Sequence, residues 1–255
     1  MSDSQRLICE VCVESVDGAK AAERGGADRI ELCGELALGG ISPSVGLLRG
    51  VVSATSLPVM VMVRPRAGSF CYSADEVAMM ETEISFLKDE GVAGVVFGLL
   101  KEDGQIDIDS TRRLCDLARP LSVTFHRGFD WARDASEALE ILAQIGVERI
   151  LTSGQEPTAE AGLPLLKQLA VQAGDRIAIM PGSGVSESNV QDILNSVDTN
   201  QIHFSAGVDA PADDSFRREN VPMSSVSGYA GRRTSESRVR AICDAARSCV
   251  RFETE

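Results

Sequence analysis

Short apolar runs alternate with amphipathic stretches from one end of the 255-residue chain to the other. The apolar runs are Leu7–Val13, Arg29–Cys33, Val59–Arg64, Gly94–Phe97, Leu121–His126, Arg149–Thr152, Ile177–Met180 and Gln201–Phe204, all of strand length. Between them the spacing predicts helices at Ser15–Arg24, Ala74–Glu90, Ser110–Ala118, Ala135–Gln144, Gly162–Ala173 and Ser188–Asn195, with a last one at Ser235–Val250. Gly25, Gly91, Gly146 and Gly174 follow helical patterns, where helix C-termini favour glycine. The phrases Gly25-Gly26-Ala27-Asp28-Arg29-Ile30, Gly91-Val92-Ala93-Gly94-Val95-Val96 and Gly146-Val147-Glu148-Arg149-Ile150 repeat one helix-to-strand turn. Eight βα units of this size predict a TIM (β/α)8 barrel, an α/β fold, as a single domain over 1–255. A doubly wound open sheet would want a glycine-rich turn after the first strand, and Val13–Gly18 supplies none. One long polar segment, 207–234, breaks the rhythm before the last helix; in a barrel it becomes the β8–α8 loop, placed over the mouth.

Composition narrows the partners. The chain is 44% apolar with a formal charge of −13, which argues against nucleic acid, whose backbone rewards clustered Lys and Arg. No apolar run approaches the roughly 18 residues of a membrane span, so no membrane partner is expected. The start, Met1–Arg6, lacks the basic and apolar regions of a secretory signal. Seven cysteines, an odd and scattered set, suit a reducing cytoplasm. Cys9 and Cys12 have C-x-x-C spacing, but positions three apart on a strand face opposite sides, so Cys9 is expected to pack outward against a helix.

Barrel chemistry sits at the carboxyl ends of the strands. Glu10-Val11-Cys12 recurs there as Glu31-Leu32-Cys33, 21 positions later, putting two acids and two thiols on adjacent strands. This marks either a metal site, with Cys12 and Cys33 as the candidate metal ligands, or an acid/base site. The glutamates are expected deeper, with the cysteines nearer the rim. Glu10, Glu31, Arg64, Thr124, His126 and His203 can all point inward by strand alternation. Glu10 and Glu31 could simply pair with Arg64 and Arg66, since buried charges need partners. As an acid/base set, Glu10 or Glu31 would be the base, His126 the acid or electrophile, and Arg64, Arg66 and Arg127 would clamp a small anionic substrate. Ser153, His203 and Ser205, at further strand ends, are candidate substrate- or anion-binding residues with them. Gly182-Ser183-Gly184, ahead of a helix expected near Ser186, offers backbone N–H groups to a phosphate or carboxylate.

These residues together resemble the CutC family of copper homeostasis proteins over nearly the whole chain. The matching stretches are Glu10–Ser15, Gly25–Cys33, Val63–Arg66, Phe70–Ser73, Val95–Gly98, Thr124–Arg127, Leu151–Gly154 and Ile179–Gly182. The resemblance implies a TIM barrel, cytoplasmic copper binding through cysteines as Cu(I) ligands, and a homo-oligomer, dimer or tetramer. The alternative is a barrel enzyme doing acid/base chemistry on a small anionic or phosphorylated metabolite. Two stretches depart from the family pattern: Ala67-Gly68-Ser69, where two glycines and an aspartate are expected, and Ser183, where the middle of three glycines is usual.

Overall fold

The computed structural model describes residues 6–210 and 232–249. Eight parallel strands run β1 (Ile8–Val13), β2 (Arg29–Leu32), β3 (Val59–Met62), β4 (Gly94–Phe97), β5 (Ser122–Phe125), β6 (Arg149–Thr152), β7 (Ala178–Pro181) and β8 (Gln201–Phe204). Each is followed by a helix: α1 (Val16–Arg24), α2 (Val45–Val52), α3 (Ala74–Leu87), α4 (Ile108–Ala118), α5 (Ala135–Ile145), α6 (Leu163–Ala173), α7 (Val190–Ser196) and α8 (Glu236–Arg247). Backbone pairing follows the order β7-β6-β5-β4-β3-β2-β1-β8. β7 and β8 lie side by side, and the hydroxyl of Thr199 donates to the carbonyl of Ile179, but no backbone ladder joins them among the described residues. The result is a nearly closed TIM barrel.

Two environments follow from strand alternation. Outward positions Val11, Ile30, Val61, Val95, Val123, Ile150, Ile179 and Ile202 are all Val or Ile and all belong to the core between sheet and helices. β-branched side chains pack well on a pleated surface, and burying each contributes about 1.5–3 kcal/mol. Inside the barrel, Cys33, Met60, Met62 and Val96 form a separate apolar cluster, and the remaining interior mixes Leu151 and Met180 with polar and charged side chains.

Six helices begin on a side-chain cap that accepts a backbone N–H: Ser15, Ser44, Ser73, Asp107, Asp134 and Ser235. Ser73 and Glu76 make a reciprocal capping box. α2 has no counterpart in the periodicity: Gly46 and Gly50 weaken its helical signal, yet the Ser44 cap and the buried face of Leu48 and Val51 hold it. The 207–234 segment is not structureless at its ends, where β9 (Gly207–Asp209) pairs antiparallel with β10 (Arg232–Thr234). The rest of that predicted loop lies outside the described residues. No helix of the described residues is long and apolar enough to cross a membrane.

Candidate functional site

β1 and the two strands it pairs with, β2 and β8, build a charged cluster. Glu10 is the register partner of both Arg29 on β2 and His203 on β8. Lateral neighbours in a parallel sheet share a face, so three ionisable side chains meet inside the wall. Glu10 is fully buried, accepts from Arg29 Nε, and bonds His203 Nδ1 at 2.8 Å. Burial alone would push its carboxyl up; the Arg29 charge and the His203 hydrogen bond outweigh this and hold it at about 2. His203 Nε2 then faces Glu31 Oε2 at 3.7 Å. Burial opposes a charged ring there, but Glu31, Cys12 and Glu10 all favour it, and the imidazole titrates well above its ordinary value. Glu31 moves the other way from Glu10: burial pushes its carboxyl up, opposed by His203 and reinforced by Glu10. Its Oε1 is buried without a hydrogen-bond partner among the described residues.

The thiols are staggered. Cys12 is the register partner of Glu31, so the two cysteines do not form one layer above two glutamates. The levels are Glu10 with Arg29, Cys12 with Glu31, and Cys33 a step nearer the rim, as the strand stagger of a barrel requires. One ligand atom each from Cys12, Glu31 and His203 lies within 4.8 Å of the others. Cys33 donates to Glu31 Oε2 at 3.5 Å, and burial, then Glu31 and Cys12, push its thiol well above the ordinary range. Cys9 points outward, as its strand position requires, and pairs with Cys243 of α8.

Arg64 and Arg66 pair with neither Glu10 nor Glu31, correcting the alternative of simple ion pairs with those arginines. Arg64 is 5% exposed and spends Nη1 on the carbonyls of Leu38 and Gly40 and Nη2 on Gly68, pinning two loops. Arg66 binds Glu76 and the carbonyls of Ser69 and Cys71, and lies over the Tyr72 ring. The departure at Ala67-Gly68-Ser69 therefore supplies carbonyls to both arginines.

His126 is 4% exposed and accepts from the Gly128 N–H at Nδ1, 3.0 Å. Its ring fits only because Gly98 and Gly128 are bare: a Cβ would come within 2.5 Å of the ring at Gly98 and 2.9 Å at Gly128. Burial, then the Arg64 charge, hold it down at about 3. Beyond it, the Asp130 carboxylate accepts from the Thr152 hydroxyl, from Ser153 N and Oγ, from Gln155 N and from Arg127 Nε. Arg127 also reaches Ser153 Oγ at 2.9 Å.

The glycine loop is less open than its composition suggests. Gly182 N donates to Thr152, and the Ser183 hydroxyl donates to Pro157. Ser183 takes a positive φ of 78°, the conformation for which glycine is usual. The helix after it starts at Val190, capped by no side chain, and the turn from Ser186 to Asn189 separates the two. Ser205 is exposed at the rim.

Arg29 and Arg149 are the charges that strand-end reasoning misses, because both open their strands. Arg149 donates to Ser122 and Thr124 from inside the barrel, and burial, then the Arg29 charge, lower it to about 10. The signal lay in the repeated turn: Asp28-Arg29-Ile30 and Glu148-Arg149-Ile150 both place Arg one step before an outward Ile.

Comparison with known proteins gives the family and supports the fold. The CutC family model matches residues 7–208. The chain is 45% identical over 239 residues to a human copper homeostasis protein cutC homolog, covering 92% of this chain and 88% of that one. A mouse homolog of the same name is 48% identical over 217 residues, covering 85% and 80%. The crystal structure of a copper homeostasis protein CutC from Streptococcus agalactiae superposes with a TM-score of 0.74 at 29% identity, covering 78% of this chain and 98% of that one. The chain belongs to the CutC family.

Proposed function

We propose that this protein takes copper as cargo in the cytoplasm, through Cys12, His203 and Glu31, with Cys33 as a second thiol at the rim. The observation that carries this is the convergence of three unlike ligand atoms within 4.8 Å. The donor set fits the ion: a thiol and an imidazole are soft and borderline ligands, and Glu31 Oε1 has no competing partner. Behind the imidazole, Glu10 bonds Nδ1 and so leaves Nε2 as the coordinating atom, the carboxylate–histidine arrangement that orients metal ligands. A proton on His203 holds the cation's place, so copper uptake releases protons and weakens as pH falls. Cys12→Ser with Cys33→Ser should lower Cu(I) affinity by two orders of magnitude or more in a thiol-free competition assay; unchanged affinity rejects the site. The family relation also supports a homo-oligomer, which light scattering on the purified protein tests.

A second reading, acid/base chemistry on a small anionic metabolite, is favoured by the opposite shifts of Glu10 and Glu31 across one histidine. Glu31 would hold the transferable proton, with Arg127 and Ser153 toward the substrate. Small acids and phosphorylated sugars should then raise the melting temperature; no shift from any of them removes this reading.

A further inference from the structure

On the other side of the barrel mouth, three buried donors have no acceptor among the described residues. Arg64 Nε, Tyr72 Oη and His126 Nε2 are all buried without a hydrogen-bond partner. Because His126 Nδ1 accepts a backbone N–H, the neutral ring carries its proton on Nε2 and is a donor there. Arg64 pairs with no carboxylate among the described residues; its bonds go to three backbone carbonyls. Tyr72 lies close enough to feel the Arg64 charge, without hydrogen-bond geometry to it. Phe70 links the group: its ring centroid is 5.1 Å from Arg64 Cζ and 4.9 Å from the His126 ring. Trp131, 63% exposed, stands edge-on against the same ring at 5.1 Å.

We propose that Arg64, His126 and Tyr72 form a donor pocket for a small organic carboxylate, entered by displacement of Phe70. Leaving three buried donors unmatched is costly, which calls for an acceptor. A single water fits poorly, since it can accept from only two of the three donors. A phosphate fits poorly too. Arg64 spends three of its five N–H groups on carbonyls, so the guanidinium offers Nε–H, one Nη2–H and a single positive charge, short of a phosphate's two negative charges. A monoanion with planar oxygens matches one fixed charge and two or three single donors. This deepens the second reading above by naming its ligand class, and a carboxylate can bind here whether or not it is turned over.

Trp131 is the chain's one tryptophan and touches the ring that must move, so its fluorescence reports entry. Acetate and pyruvate, titrated at constant ionic strength, should give a saturable change that chloride and inorganic phosphate do not. His126→Phe should weaken the response about tenfold or more. In case that variant does not fold, the His126 Nε2–H resonance of the unmodified protein should shift to a hydrogen-bonded position at saturating acetate. An unchanged resonance, an equal response to phosphate, or a carboxylate response that survives in folded His126→Phe overturns the pocket. Carboxylate binding with no turnover of any acid retains the pocket and removes the acid/base reading; turnover without a Trp131 response does the reverse.

Discussion

The two histidines of this chain, His126 and His203, are both buried inside one barrel and have opposite electrostatics. His203 stands between two glutamates and a thiol and holds a proton well above its ordinary range. His126 has no carboxylate beside it among the described residues, faces the Arg64 charge, and stays neutral down to about 3. Burial disfavours the charged ring in both cases, so the partners decide. The same residue type is therefore a cation on the β1–β2–β8 side and a neutral N–H donor on the β3–β5 side. A barrel mouth with this polarity suits a cation at one edge and an anion at the other.

The largest expected effect comes from breaking the cationic side at its base. Glu10→Ala leaves Arg29 and His203 buried without their shared carboxylate and should cost about 3–5 kcal/mol in denaturant unfolding. A loss under 1 kcal/mol would mean that the Arg29–Glu10–His203 set is not ionised as drawn. Next come the pH slopes, which carry opposite signs for the two rings. For His126 the unfolded chain binds a proton that the native state refuses, so its contribution is present above about 6.5 and lost as pH falls toward 3. For His203 the native state keeps the proton longer, so its contribution is present below about 6.5 and lost as pH rises. Each slope approaches about 1.4 kcal/mol per pH unit within its window. His126→Gln should flatten the acid limb of a stability–pH profile and His203→Gln the alkaline limb. The reverse assignment would sink the comparison. The smallest effect is at the rim: Arg127→Ala removes a half-exposed partner of Asp130 and should cost no more than about 1 kcal/mol, because four other donors keep that carboxylate bonded.

Period and length made the barrel legible. β4, β6 and β8 match the apolar runs Gly94–Phe97, Arg149–Thr152 and Gln201–Phe204 end to end. α2 was hidden because two glycines dilute a short helix that tertiary packing and a serine cap rescue. The site was half legible. Alternation places Glu10, Glu31, Cys12 and His203 on the inner face, and all four are brought together. Their partners were not legible, because which residues lie level across a parallel pair depends on strand stagger, and a spacing of 21 residues says nothing about stagger. That is why Glu10 meets Arg29 and His203 instead of Arg64. It is also why Cys12 lies level with Glu31 and below Cys33. Arg29 and Arg149 escaped notice for a simpler reason: attention to carboxyl ends overlooks residues that open a strand, though their long side chains reach the same interior.

The missing ladder between β7 and β8 gives the wall a direction of weakness. A tube of staves laddered all round resists widening equally everywhere, whereas one with a joint that carries no backbone ladder yields along that line at the cost of side-chain contacts such as the Thr199 hydrogen bond. β8 is fastened to the sheet through β1, and the His203–Glu10 bond crosses that one fastening. Loading or unloading the charged cluster thus acts on the stave that is freest to swing. Amide exchange along β8 should register the state of its histidine more sensitively than any other strand.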